Sequence, residues 1–186
     1  MGTKSIGKRI TIAEHSDATT IIIDQKISKA QQLSLEMWFG GWVGLGCLIV
    51  YGAYTFSGNE STVYLICLAF WGFFFVRIAK VIAWRRIGRE IIRVSPKQLL
   101  IKNAFNKRGK DKFYSINDLS EFKARKVEST SFIGQLDNSF WIIGGDTVDF
   151  TFRGKKHVLG KQLKDSDALQ LANYLNKSVA RYSKKS

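Results

Sequence analysis

Two histidines, two cysteines and the aspartates Asp146 and Asp149 have the widest chemical repertoire in this 186-residue chain. His15 and His157 could ligate a metal or move a proton, but neither has Cys, Glu or Asp at ligand spacing, so no metal site is expected. Cys47 and Cys67 stand inside apolar blocks, where cysteine behaves as a small buried hydrophobe. Asp146 and Asp149 flank a turn and the start of a strand, the pattern of a solvated edge rather than an acid and base couple. No nucleophile elbow, phosphate loop or zinc-protease helix occurs. The glycines Gly40, Gly41, Gly44 and Gly46 lie in an apolar run and cannot cradle phosphate. Neither catalysis nor a cofactor is expected.

Charge offers more. Lys and Arg outnumber Asp and Glu by 29 to 15, a net charge of +14 that suits nucleic acid, anionic lipid or acidic protein partners. Lys107, Arg108, Lys110 and Lys112 occupy one expected hairpin tip, and Arg85, Arg86 and Arg89 follow an apolar block. Each is a candidate contact to anionic lipid, at about 1 kcal/mol per surface cation. Nucleic-acid binding would need exposed aromatics interleaved with the cations, or a reading helix, and neither pattern is present. Glu36 and Lys80 each lie 22 residues from Gly58, which gives them one depth in a helical hairpin and makes Lys80 or Arg77 the expected partner of Glu36.

The elements that must position these residues begin with the apolar blocks. Met37 to Phe56 carries no charge for 20 residues, enough helix to span about 30 Å of hydrocarbon. A second block, Ser61 to Val76, continues past Arg77 and Lys80 toward Arg85, because long cationic side chains snorkel. Ser57, Gly58, Asn59 and Glu60 suffice only to reverse the chain. Lys26 and Lys29 before the first block and five cations after the second put both termini in the cytoplasm by the positive-inside rule. The first 30 residues hold no apolar run long enough for a signal peptide, so retention of the amino terminus is expected. Gly40, Gly44, Ala69 and Gly72 form the expected face on which the two helices pack, with docking on another membrane subunit as the alternative.

After Arg89 short alternating runs replace the apolar blocks: 90–95, 98–103, 111–116, 121–127, 140–145, 147–152 and 156–160, seven strands in all. Such spacing predicts an antiparallel sandwich or barrel. A helix capped by Asp165 or Ser166, with Leu169, Leu171, Ala172, Leu175 and Val179 near one face, closes the chain.

IIRVSPKQLLIK, a basic turn, FYSINDLSEF, Trp141, VDFTFRGKKHVLGKQL and the helix from Asp165 form a rhythm that resembles the bacterial pleckstrin-homology-like (PH-like) membrane proteins over roughly Arg89 to Tyr182. The resemblance implies that an amino-terminal strand pair, RITIAEHS and TTIIIDQKI, can join the sheet. The expected fold is therefore membrane α+β. Residues 1–30 form a strand pair, 31–86 a transmembrane hairpin, and 87–186 a cytoplasmic PH-like sandwich or barrel closed by a helix. The expected function is a non-enzymatic scaffold, assembly or accessory subunit in a bacterial inner membrane. Its expected partners are membrane lipids and other integral membrane subunits. An anionic-headgroup-binding module is the first alternative and a transporter or channel accessory the second.

Overall fold

The computed structural model describes residues 2–105, 108–125 and 141–183. Alternation shapes the first sheet, since along its inner strands one parity of side chains faces inward. Ile10 and Ile12 of β2 (Ile10–Glu14), Ile21 and Ile23 of β3 (Thr19–Asp24), and Ile92 and Val94 of β4 (Gly88–Val94) are all buried. With β1 (Gly2–Ile6), β5 (Gln98–Phe105) and β6 (Asp111–Ser115) they form a six-stranded antiparallel meander in chain order.

Between β3 and β4, which pair directly, the chain leaves the sheet. It runs out as α1 (Lys29–Thr55), reverses, and returns as α2 (Asn59–Ile87). The helical hairpin is thus an insertion into one strand-to-strand connection. Asp24 and Arg89 are register partners at its root, and their side chains form an ion pair at 3.0 Å. Ser28 starts α1 with a capping box: its Oγ accepts from Gln31 N, and Gln31 Oε1 accepts from Ser28 N. Gly58, at φ +67°, makes the reversal in the left-handed region. Gly88 ends α2 and opens β4 with no residue between, where a Cβ would lie 2.4 Å from the Trp84 carbonyl oxygen. Both helices are long and apolar enough to cross a membrane. Only 11% and 6% of their apolar windows are buried within the chain, unlike the core helix of a soluble domain.

A short 3₁₀ turn (Ile116–Asp118) leads to the second antiparallel sheet, β7 (Lys123–Ala124), β8 (Asp146–Phe152) and β9 (Lys155–Lys161). The two sheets enclose a common core with α3 (Asp165–Ser183), which contributes Ala168, Leu171, Ala172, Leu175 and Tyr182. Leu169, expected on that face, is 54% exposed, and Ala168 takes the inward position.

The sheets remain separate ladders, so the domain is an open sandwich and the barrel alternative is not formed. The amino-terminal strands do join the sheet, as three rather than two. The strand expected at 140–145 is not one over the described residues 141–145: Trp141 packs edge-on against Trp38 at 5.3 Å, and the Ile142 carbonyl accepts from Arg85, so this segment docks on the hairpin instead of pairing. The run 121–127 shrinks to β7 because the Asn176 amide of α3 takes both backbone groups of Phe122, at 2.8 and 2.9 Å. Residues 126 and 127 lie outside the described residues.

Candidate functional site

The inward stripe of α1 includes Leu35, Phe39, Gly46 and Gly52, spaced at four, seven and six residues along one side of the helix. Aromatic rings of α2 fill the spaces left by its glycines. A Cβ on Gly46 would come within 2.2 Å of the Trp71 ring, and one on Gly52 within 2.4 Å of Tyr64. Trp71 Nε1 donates to the Trp42 carbonyl at 2.8 Å, and Phe39 packs on Phe75 at 5.1 Å. This corrects the expected packing face. Gly40, Gly44 and Gly72 have nothing within 4 Å of an added Cβ, and Ala69 is exposed. At about 100° per residue, Gly40 and Gly44 lie about 120° and 160° around the helix from Gly46, so they face away from α2. Cys47 and Cys67 are likewise exposed on the hairpin rather than buried.

Glu36 pairs with neither Arg77 nor Lys80. Arg86 Nη2 and Nε donate to its Oε1 at 2.8 and 3.0 Å, and Gln32 donates to the same oxygen. Equal depth counted along the backbone ignores where side chains lean. Helical side chains point toward their own amino terminus, so Glu36 leans toward the root of the hairpin while α2 side chains lean toward its tip. Arg86, lower on α2, reaches up to meet it. Arg77 leans away and stacks its guanidinium over Phe73, 5.1 Å from the ring centroid.

Below this pair the root of the hairpin is locked to both sheets by buried polar groups. Arg85, expected to be a lipid contact, is buried instead. Its Nη2 donates to the Ile142 carbonyl at 2.8 Å and to the Gln162 side chain. Arg9 donates to the backbone carbonyls of Asp24 (2.8 Å), Gln162 (2.6 Å) and Lys161 (3.1 Å), and to Gln25 Oε1 (2.8 Å). Burial holds its guanidinium below the ordinary arginine value, against the opposing pull of Asp167, Glu90 and Asp24. Glu90, fully buried on β4, accepts from Gly160 N at 2.9 Å and Lys161 N at 3.4 Å. Burial, aided by Asp146, pushes its carboxyl up to about 7 despite those two donors and the Lys161 charge. Among the described residues, no carboxylate reaches Arg85, and its Nε–H is buried without an acceptor, as are Gln25 Nε2 and Trp84 Nε1.

The basic residues resolve into two places. Lys26, Lys29, Arg85 and Arg86 line an open groove of about 540 Å³ beside the foot of α1. Lys110 and Lys112 join Lys156 and His157 around a smaller cleft, about 170 Å³, with Glu90 and Tyr114 on its wall. Tyr114 Oη lies 3.4 Å from His157 Nδ1, and burial raises its phenol above the ordinary value. Arg108 exchanges backbone hydrogen bonds with Phe105 at the end of β5, Arg89 is paired with Asp24, and Lys107 lies outside the described residues. The aspartate pair is split: Asp146 binds Lys161 at 3.3 Å and Asp149 binds Lys156 at 2.6 Å.

Sequence reasoning missed Arg9, Gln25, Glu90 and Gln162. One signal was present: Glu90 shares strand parity with the buried Ile92 and Val94, which places a carboxylate in the core. Compared with protein-family models, curated proteins and solved structures, the chain has no match.

Proposed function

We propose that this chain is an integral membrane protein of the non-enzymatic, assembly or accessory kind. Its hairpin docks on another membrane subunit while the sandwich stands on the cytoplasmic side. The observation that carries this reading is the outward turn of Gly40 and Gly44. The hairpin closes on Gly46 and Gly52, which leaves a Gly-x-x-x-Gly face where a second helix backbone can approach closely. Strands on both sides of the hairpin share one sheet, so spanning helices put both termini on one side, and the cations at the root favour the cytoplasm. From β3 onward the domain has four strands in one sheet, three in the other and a closing helix, a layout that supports the PH-like reading. The test is co-purification from native membranes in mild detergent. Wild-type chain is expected to carry a second membrane protein that Gly40→Leu/Gly44→Leu releases. Migration of the wild type at its monomer mass sinks the reading.

A second reading, binding of anionic headgroups, draws on Lys110, Lys112, Lys156 and His157 gathered at one cleft. Because β1 to β3 supply half the large sheet, it must be tested on the whole chain in lipid nanodiscs and not on residues 87–186. On this second reading alone Lys110→Ser/Lys112→Ser would lose the preference for anionic nanodiscs, and a variant that keeps it rules the cleft out.

A further inference from the structure

Among the described residues, the root of the hairpin carries more positive charge than its protein partners compensate. Lys26 and Lys29 are exposed and Arg85 is buried, and only Glu36 among the residues lining this groove is acidic. Glu36 is already engaged by Arg86. Among the described residues Arg85 meets only neutral acceptors, the Ile142 carbonyl and the Gln162 side chain, and Arg9 nearby repels it. A buried cation without a counter-ion is costly, so an anion beside it is strongly favoured. The groove is also two-faced. Ile27 and Leu33 supply apolar wall beside the cations, and Leu33 is 59% exposed. Its height along α1 fits one source of anion. Leu33 and Glu36 lie within about one turn of Met37, where the uncharged stretch begins, so the groove sits at the level where phosphates meet acyl chains.

We infer that this groove is a seat for one anionic phospholipid, drawn from the leaflet in which the hairpin roots. Lys26, Lys29 and the guanidinium edge of Arg86 face the phosphate, and Ile27 and Leu33 lie against the start of the chains. The inference rests on the membrane reading above, and it places the lipid at the hairpin root rather than at the cleft of Lys110 and Lys112.

The test uses the full chain, purified in mild detergent and titrated with phosphatidylglycerol or phosphatidylcholine under native mass spectrometry. One phosphatidylglycerol is expected to be retained in preference to phosphatidylcholine. Lys26→Ala/Lys29→Ala should weaken it about 30-fold, taking two surface cations at their usual worth. Both lysines are exposed, so melting temperature should hold and serve as the folding control. Lys110→Ser/Lys112→Ser should leave retention unchanged. Equal retention of the two lipids overturns the inference, as does a Lys26→Ala/Lys29→Ala variant that binds normally. Loss only in Lys110→Ser/Lys112→Ser also overturns it, while leaving anionic-lipid binding at the cleft standing. A chain that remains soluble and monodisperse without detergent removes the membrane reading itself.

Discussion

In the sandwich Ile21, Ile92, Leu99 and Leu171 are fully buried, whereas in the hairpin Leu48, Tyr51 and Phe70 each leave 67% of their surface exposed. The same kinds of side chain serve opposite arrangements. The sandwich gathers apolar groups away from water around a shared core. The hairpin turns them outward and joins its helices through two glycines under two aromatic rings, a packing that depends on shape rather than on expelled water. Burial therefore measures stability in one region and says little of it in the other.

That contrast can be broken most directly by one pair of truncations. Leu171→Ala should cost about 2–5 kcal/mol in chemical denaturation, the usual toll of a cavity in a packed core, while Leu48→Ala should stay within about 0.5 kcal/mol in detergent. A comparable loss at Leu48 would mean that the hairpin surface is packed after all.

The buried carboxylate sharpens the contrast next. The folded pKa of Glu90, about 7, lies above its unfolded value, so the native state holds the extra proton between the two. Stability should then fall as pH rises from about 4.3 to about 7, by about 4 kcal/mol at most, and stay flat above. Glu90→Gln keeps an acceptor for the Gly160 N–H and should remove this slope, leaving the variant the more stable at pH 8. Denaturant midpoints at pH 5 and pH 8 measure it. An unchanged slope in the variant would place the titration elsewhere.

Shape dependence in the hairpin is testable at two glycines. Gly46→Ala drives a methyl into the Trp71 ring and should cost about 1–3 kcal/mol. Gly44→Ala meets nothing and should cost none, read as thermal stability in detergent. The smallest effect is expected at the half-exposed ion pair: Glu36→Gln should shift the melting temperature by no resolvable amount, since such pairs contribute little. A marked loss there would make Glu36 more than a surface partner of Arg86.

Much of the fold can be read from residue order alone. Twenty uncharged residues from Met37 announce the hairpin, and short alternating runs announce β4 to β6, while β2 and β3 are expected only through the resemblance. β1 escapes notice because GTKSI is short, polar and almost wholly exposed, and its ladder pairing is with β2. The site is less legible. Composition names Gly40 and Gly46 alike, and only the helical angle between them separates an outer face from an inner one. Counting finds the depth of Glu36 but not the lean of its side chain, so it selects Lys80 where Arg86 stands. The Arg9 and Arg85 network joins positions far apart in the chain, and local patterns do not register such a meeting.

The position of the hairpin between two directly paired strands has an engineering consequence. Asp24 and Arg89 already face each other in register, so a two-residue type I′ turn such as Asn-Gly could join them in place of residues 25–88. Such an excision would discard Gln25 and Arg85 along with the helices and retain all of β1, β2 and β3. It would also shorten β4 by its first residue. The converse graft is equally defined: any antiparallel helical pair whose ends match that gap could be spliced into the same slot, making the sandwich an interchangeable base for different spans.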